Sequence, residues 1–432
     1  MIWDKAMECM DREELQGLQR KRLQKIVKRV YHNVPFYRRK MQNIGIEPED
    51  IHGLEDLEKL PFTTKADIRD NYPFGLLAVP RQNIVRFHAS GGKPGKATVV
   101  GYTGQDMEIW GECMARTLAM AGMDREDILQ MAYGYGVFAG ETGIYHGAEK
   151  LGAAVIPMPT GNVKRLVTMM EDMGVTAIAS TPSYLLHIAQ TMEECGKVGK
   201  SRLKTAVCGA EPWTESMRRQ IEGQLHIRAH DMYEMSEIMG PGVACDCECH
   251  QGLHVYADHF LPEIINPDTL RPVAAGSAGE LVLTTITKEG LPLLRYRTRD
   301  MTAITYETCA CGRTLPRIRR FMGRCDDMLI IRGVSVFPSQ IESVLLEIGG
   351  TTPHYRIIVD RVNHLDTLEV QVEIGDGFFS DEIKGLESLA GEIGRVLQQE
   401  IGLLAKVKLL EPRSIARSVE KAVRVIDNRN LT

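Results

Sequence analysis

Asp127-Ile128-Leu129-Gln130-Met131-Ala132 runs without a break into Tyr133-Gly134-Tyr135-Gly136-Val137-Phe138-Ala139-Gly140. A short apolar run closed by glycines reads as a buried strand turning into a loop. Outward from it the same unit recurs. Helix is expected over 143–151, 163–173 and 183–195, with strand over 153–157, 177–180 and 205–209. Strands spaced by helices of this length predict a parallel sheet with helices on its faces. In such sheets ligands sit beyond the carboxyl ends of the strands. Three of these ends are polar or glycine turns, Tyr133-Gly134, Ser180-Thr181-Pro182 and Gly209-Ala210-Glu211-Pro212, and they are expected to line one crevice. The glycines between aromatics at 133–140 fit a backbone approaching something flat, and equally a βα turn packed on core rings.

Upstream lies Arg86-Phe87-His88-Ala89-Ser90-Gly91-Gly92-Lys93-Pro94-Gly95-Lys96-Ala97-Thr98-Val99-Val100, between the β-branched runs 83–85 and 98–100. Glycine brings N–H groups close to a ligand, and clustered N–H donors beside lysine make a phosphate cradle. A Walker A loop needs Gly-Lys followed by Ser or Thr and a helix. Here Ala97 follows Lys96 and strand follows both, so the reading is a non-Walker phosphate loop or an ordinary hairpin tip. Further upstream, residues 11–41 read as helix broken at Asn33-Val34-Pro35, residues 47–60 form a short acidic stretch, and Thr63 or Thr64 caps a helix beginning at Lys65. A helix also follows the glycine loop, over 104–123.

A length of 432 residues exceeds what one core supports, so two or three domains are expected. A hydrophobic content of 44%, a charged content of 25% and a net charge of -5 describe a soluble globular protein without a global pull toward nucleic acid or membrane. The N-terminus carries no signal-peptide pattern, and a cytoplasmic protein is expected. The ten cysteines are then thiols or metal ligands.

Downstream, Tyr233-Glu234-Met235-Ser236-Glu237 ends in a carboxylate suited to Mg²⁺, which takes one or two carboxylates plus phosphate oxygens. The cluster Cys245-Asp246-Cys247-Glu248-Cys249-His250, with His254 and then Cys309-Ala310-Cys311, has spacing for a closed tetrahedral zinc site built from two loops. More donors are present than four places need, and the choice stays open. The runs 279–285 and 293–298 alternate like antiparallel strands, and Asp300 beyond them is suited to ribose hydroxyls. After a linker at 323–327, strands at 328–331, 355–361, 367–373 and 406–410 with helices at 338–348 and 380–401 make a small α+β domain. The basic stretch 417–425 closes it, either as a tail or as the source of a lysine for a site on the large domain.

Taken together, these segments resemble the phenylacetate–CoA ligase family of the adenylate-forming superfamily, over essentially the whole chain. The matching segments are Tyr133-Gly134-Tyr135-Gly136, Gly209-Ala210-Glu211-Pro212-Trp213, Tyr233 to Glu237, Gly252-Leu253-His254 through Asp258-His259-Phe260, and Tyr296-Arg297-Thr298-Arg299-Asp300. So does Gly323 to Glu342, where Asp327-Met328-Leu329-Ile330-Ile331-Arg332-Gly333-Val334 is close to verbatim.

The resemblance implies an α/β plus α+β protein. A large N-terminal domain (1–325) carries parallel and mixed sheets covered by helices, and a small mobile C-terminal domain (326–432) is hinged at Asp326. It implies an AMP-forming ligase that activates a carboxylic acid, aromatic and phenylacetate-like, with ATP as acyl-adenylate and passes it to coenzyme A, Mg²⁺ assisting. By position Lys421 is the catalytic lysine and Glu237 the Mg²⁺ ligand. Ser90, Gly91, Gly92, Lys93, Gly95, Lys96, Gly209, Ala210, Glu211, Pro212, Tyr233, Ser236, Asp300 and Arg324 bind the nucleotide. Tyr135, Gly136 and Phe138 line the acid pocket, and Gly333 the CoA channel. Zinc-bearing members suggest Cys247, His254, Cys309 and Cys311, with Cys245 and Cys249 as substitutes. A homodimer is expected, with no nucleic-acid or membrane partner.

Lys93 and Pro94 stand where the family's phosphate loop has hydroxyl residues, and Glu234 and Glu420 where it has glycine. These departures leave open an adenylyltransferase with another acceptor, or a weakened homologue that binds an acyl group or nucleotide.

Overall fold

The computed structural model describes residues 1–90, 98–133, 140–158, 161–325, 329–332, 334–362, 365–375, 383–415 and 424–429. The chain divides into two compact units. One comprises Met1–Ser180, Lys200–Ala210 and Arg228–Arg320, and the other Thr181–Gly199, Glu211–Ile227 and Phe321–Thr432.

The first unit is organised by a nine-stranded mixed sheet. Its order is Ile304–Thr305, Arg317–Ile318, Leu253–Val255, Gly240–Asp246, Arg228–Met235, Thr205–Cys208, Ala177–Ser180, Ile128–Ala132, Ala154–Pro157. The five strands from Arg228–Met235 to Ala154–Pro157 run parallel, as the βα alternation predicts. The remainder pair antiparallel. Residues 177–180 and 205–208 are buried throughout, the pattern of strands covered on both faces.

Helix Gly104–Met120 starts with Thr103 as N-cap, its side chain accepting from the Asp106 N–H, and packs on helix Gly140–Leu151. Gly147 permits that approach, since a Cβ there would lie 2.2 Å from the Met114 Cβ. Upstream, helices Arg12–Asn33 and Pro35–Asn43 meet at Val34, so the break falls where Pro35 places it. Of the two candidate caps before Lys65, Thr64 is the one used. The acidic stretch 47–60 forms two short 3₁₀ turns.

Two smaller pieces complete the first unit. Arg86–Ser90 and Thr98–Tyr102 pair antiparallel on either side of residues 91–97 in the sequence. The first strand of this hairpin starts at Arg86 rather than in the β-branched run 83–85, because Arg81–Asn83 closes a 3₁₀ turn. Phe260–Ile265, Gly279–Thr285 and Tyr296–Thr302 lie side by side antiparallel, with a bulge between Glu280 and Val282. The alternating burial of Tyr296–Thr302 matches the sequence pattern.

In the second unit a four-stranded sheet has the order Lys406–Leu410, Leu365–Ile374, Thr351–Val362, Val425–Asp427. Helices Pro338–Glu347 and Ile383–Ile401 cover a core of Ile341, Leu345, Ile357, Val359, Val370, Val372, Ile393 and Leu397. Helices Pro182–Glu194 and Glu215–Leu225 belong to this unit and pack on each other. Among the described residues no helix is long and apolar enough to cross a membrane.

Candidate functional site

The parallel strands deliver three of the expected ends to one place. Tyr133, just past Ile128–Ala132, donates its hydroxyl to the Ser180 carbonyl at 2.9 Å, and the Gly209 N–H donates to the same carbonyl at 3.3 Å. A Cβ on Gly209 would stand 3.0 Å from the Met232 carbonyl and 3.5 Å from the Tyr133 hydroxyl, so only glycine fits without displacement. Ala210 follows at φ +70°, a left-handed backbone that costs a non-glycine residue about 1 kcal/mol or more. Across the turn, Glu211 accepts the Ser183 N–H at 2.7 Å and so ties the starts of two helices in the second unit.

The end of Arg228–Met235 carries Tyr233, whose hydroxyl donates to Asp300 Oδ2 at 2.5 Å. Asp300 lies on Tyr296–Thr302, next to Arg299 at φ +69°. Both Tyr233 and Asp300 are buried. Two residues that fall 67 apart in the chain, one read as an adenine partner and one as a ribose partner, thus form one hydrogen-bonded pair. Glu234 lies on the same strand as Tyr233 and is half-buried.

Glu237 sits in the turn between Arg228–Met235 and Gly240–Asp246, 5% exposed. Its Oε1 lies 3.3 Å from Lys65 Nζ and accepts the Thr98 hydroxyl at 3.3 Å. Thr98 opens the second strand of the hairpin, so the carboxylate is bonded to the first described residue after 91–97. The turn itself is clamped from below. Lys288 Nζ donates to the Ile238 carbonyl at 2.6 Å and reaches the Glu237 carbonyl at 3.4 Å. Tyr102 donates to the Met239 carbonyl at 3.0 Å, and Lys288 lies over its ring at 4.5 Å. Burial lowers Lys288 to about 7, with the Asp106 and Glu237 carboxylates opposing the shift.

Sequence reasoning did not single out Lys65 or Lys288 for the site. Lys65 was visible as the first residue of a capped helix; Lys288 looks like any lysine in a polar turn. Ser236 lies in the clamped turn, and its carbonyl faces the Tyr102 hydroxyl at 3.4 Å.

The cysteine cluster converges. Cys247 follows Gly240–Asp246, His254 lies on Leu253–Val255, and Cys309 and Cys311 lie in the turn after Ile304–Thr305. One donor atom from each lies within 4.8 Å of the others. Cys247 Sγ stands 3.7 Å from Cys309 Sγ, and Cys311 Sγ 3.6 Å from His254 Nε2. A tetrahedron with bonds of about 2.3 Å to sulfur and about 2.1 Å to nitrogen has edges of about 3.5–3.8 Å, so the donor set fits zinc. Burial, then the charges of Arg313 and Arg317, push His254 down to about 3, which leaves the ring neutral. Cys245 and Cys249 do not join this group: the Cys245 thiol bonds the Asp246 carbonyl at 3.3 Å, and Cys249 is half-buried outside it. The two expected loops are in part strands, His254 being on one.

Pro212 lies in the turn before Glu215–Leu225, and Arg324 in the short strand Gly323–Arg324, both of the second unit. Ser90 closes the first hairpin strand, opposite Thr98. Gly91, Gly92, Lys93, Gly95, Lys96, Tyr135, Gly136, Phe138, Asp326, Gly333 and Lys421 lie outside the described residues.

A buried carboxylate bonded to Thr98, with the Tyr233–Asp300 pair on the strand that leads into its turn, is suited to a nucleotide and its metal ion. Comparison with known proteins agrees. The model of the AMP-binding enzyme family matches residues 113–287, and that of the AMP-binding enzyme C-terminal domain matches residues 333–429. The chain is similar to the phenylacetate-coenzyme A ligase of Thermus thermophilus, 47% identical over 99% of this chain and 100% of that one. It is also similar to the phenylacetate-coenzyme A ligase of Escherichia coli, 45% identical over 97% of this chain and 96% of that one. Among solved structures it is similar to 2-hydroxyisobutyryl-CoA ligase in the postadenylation state in complex with 2-HIB-AMP. That match has a TM-score of 0.94 and 30% identity, covering 99% of this chain and 92% of the other.

Proposed function

The chain belongs to the phenylacetate–coenzyme A ligase family, and from that premise we propose how its residues divide the reaction. It is an AMP-forming acid–CoA ligase: a carboxylic acid attacks the α-phosphate of ATP, pyrophosphate leaves, and the acyl-adenylate passes its acyl group to the thiol of coenzyme A. A carboxylate is a poor acyl donor because its leaving group is oxide, whereas AMP leaves readily. Both steps place negative charge on phosphate and carbonyl oxygens, which a metal ion and lysine offset.

The acid is phenylacetate or a close aromatic relative. Support comes from 47% and 45% identity to two phenylacetate-coenzyme A ligases over nearly the whole chain. Asp300 takes the ribose hydroxyls and Tyr233 faces adenine, bordered by Gly209 and Ala210. Glu237 would hold Mg²⁺, its carboxylate standing 3.3 Å from Lys65 Nζ and bonded to Thr98. Lys421 bridges the substrate carboxylate and α-phosphate. The 91–97 loop takes the departing phosphates, Arg324 adds to the nucleotide site, and Tyr135, Gly136 and Phe138 border the acid. The part from 326 on turns about Asp326 to bring Gly333 to the CoA channel. Cys247, His254, Cys309 and Cys311 hold a structural Zn²⁺, since four protein donors leave no open position. A cytoplasmic homodimer belongs to the same proposal.

The test is pyrophosphate release with ATP and Mg²⁺ across a panel of aromatic acids, followed by CoA-ester formation on adding coenzyme A. Phenylacetate is expected to rank first. Release with no aromatic acid in the panel would overturn the substrate reading, and adenylate formed without consumption of coenzyme A would overturn the acceptor.

A further inference from the structure

A second group of donors lies beside the cysteine cluster and shares no residue with it. His230 is on Arg228–Met235, Asp246 ends Gly240–Asp246, and His250 sits in the turn that follows, its N–H donating to the Cys247 carbonyl at 3.0 Å. His230 Nδ1 stands 3.3 Å from Asp246 Oδ1, and His250 Nδ1 stands 3.0 Å from Asp246 Oδ2. The imidazole centroids are 5.3 Å apart. Side-chain exposure is 4% for His230, 2% for Asp246 and 18% for His250. One donor atom from each of the three lies within 4.8 Å of the others.

A carboxylate accepting one hydrogen bond accounts for His250, whose contact with Asp246 has hydrogen-bond geometry. It does not account for His230. That Nδ1 is buried, aims at the carboxylate, and has no hydrogen-bond partner among the described residues. A buried polar atom left so costs about 1–3 kcal/mol, unless something else takes its lone pair. Asp246 Oδ1 meanwhile accepts the Asp231 N–H at 2.9 Å, which fixes the carboxylate's orientation as a metal ligand's outer partners do.

We propose that His230, Asp246 and His250 bind a divalent transition cation of the Zn²⁺ class, separate from the ion held by the cysteines. Bonds of about 2.1 Å give donor–donor edges of about 3.0–3.4 Å in octahedral or tetrahedral sites, and each histidine nitrogen lies at such a distance from a different oxygen of Asp246. Two imidazoles and a carboxylate suit Zn²⁺, Fe²⁺ or Co²⁺ over Mg²⁺ or Ca²⁺, which favour oxygen alone. The partly exposed edge at His250 leaves a coordination position for water. Because Asp246 and Cys247 are consecutive, the two ions would brace the end of one strand from two directions.

The experiment strips the full-length protein of metal, reloads it with Co²⁺, and measures cobalt content together with the visible spectrum. The expected result is two ions per chain, only one of them giving thiolate-to-metal charge-transfer bands. His250→Gln is expected to lose one ion and keep those bands, and His230→Gln the same; Cys309→Ser should lose the bands and keep the other ion. The deciding signature is an ion retained in Cys309→Ser and lost in His250→Gln. It holds even if the cysteine site proves empty, so the two readings fail separately. Cobalt content unchanged by His250→Gln overturns the proposal. His250, at the partly exposed edge, keeps the test readable if the buried His230→Gln does not fold.

Discussion

Tyr233 donates its phenolic hydrogen to Asp300 at 2.5 Å, so the ring proposed to face adenine and the carboxylate proposed to take ribose are bonded to each other. A hydrogen bond to a charged group is worth about 1.5–3 kcal/mol. Tyr233→Phe keeps the ring and removes that bond, leaving Asp300 less firmly oriented. The expected outcome is a rise of about tenfold in KM for ATP with a smaller change in kcat, read from initial rates of pyrophosphate release. A fall in thermal stability with an unchanged KM for ATP would remove Asp300 from the ribose site.

Lys288 gives a pH dependence of known sign. Its ordinary value near 10.5 is lowered to about 7 by burial, so between those limits the unfolded chain holds a proton that the folded chain has released. Stability linked to this group therefore rises with pH from about 7 to about 10 and is flat below 7. Lys288→Met should flatten the wild-type slope of Tm against pH between 7 and 9, measured as the difference between the two proteins. The same change removes the bonds to the Ile238 and Glu237 carbonyls, so the Mg²⁺ concentration for half-maximal rate should rise several-fold. An unchanged Mg²⁺ requirement would mean the clamp does not position Glu237.

What the sequence displays and what it conceals follow from how far apart the partners are. The alternation over 127–209 is legible because each parallel strand is a short apolar run next to its own helix. Arg228–Met235, Gly240–Asp246 and Leu253–Val255 are not, because Gly240-Pro241-Gly242 and the cysteines read as loop while tertiary pairing makes them central strands. The seven candidate metal donors were visible by spacing. Choosing four needed the register, which sets Cys245 opposite His254 yet sends its thiol to the Asp246 carbonyl. Glu237 was legible from its motif, but Lys288 was not: it is a turn lysine by every local pattern and meets residue 238 across a separation of 50.

Metal removal offers a third test. An ion that binds only the folded chain stabilises it by about 4 kcal/mol at a thousandfold excess over its Kd. Cys309→Ser, or prolonged chelation, should lower Tm by several degrees while leaving KM for ATP near the wild-type value. A selective loss of adenylation without loss of stability would make the zinc catalytic instead.

Arg116 and Asp258 form a buried ion pair, 2% and 1% exposed, at 3.0 Å. Against burial, which pushes it up, His259, then Arg116 and Arg22, hold the Asp258 carboxyl below its ordinary value. Removing one partner of such a pair costs about 3–5 kcal/mol because the other charge is left buried. Arg116→Met should reduce denaturant stability by that order, and Arg116→Met with Asp258→Asn should recover a large part of it. A double variant no better than the single one would mean that Arg22 and His259 already compensate Asp258 when Arg116 is gone.

Lys421 lies three residues before Arg424, and Arg424 is pinned within its own unit. Its guanidinium bonds Glu342 at 2.7 Å and lies 4.5 Å from the Tyr355 ring centre, while its carbonyl accepts the Ile357 N–H at 2.7 Å. If Lys421 stabilises charge chiefly in the transition state, Lys421→Ala loses adenylation by a factor of about 10² or more and keeps ATP affinity within a few-fold. Calorimetric ATP binding beside single-turnover pyrophosphate release separates the two. Parallel loss of both would assign Lys421 to ground-state binding, and unchanged release would remove it from the reaction.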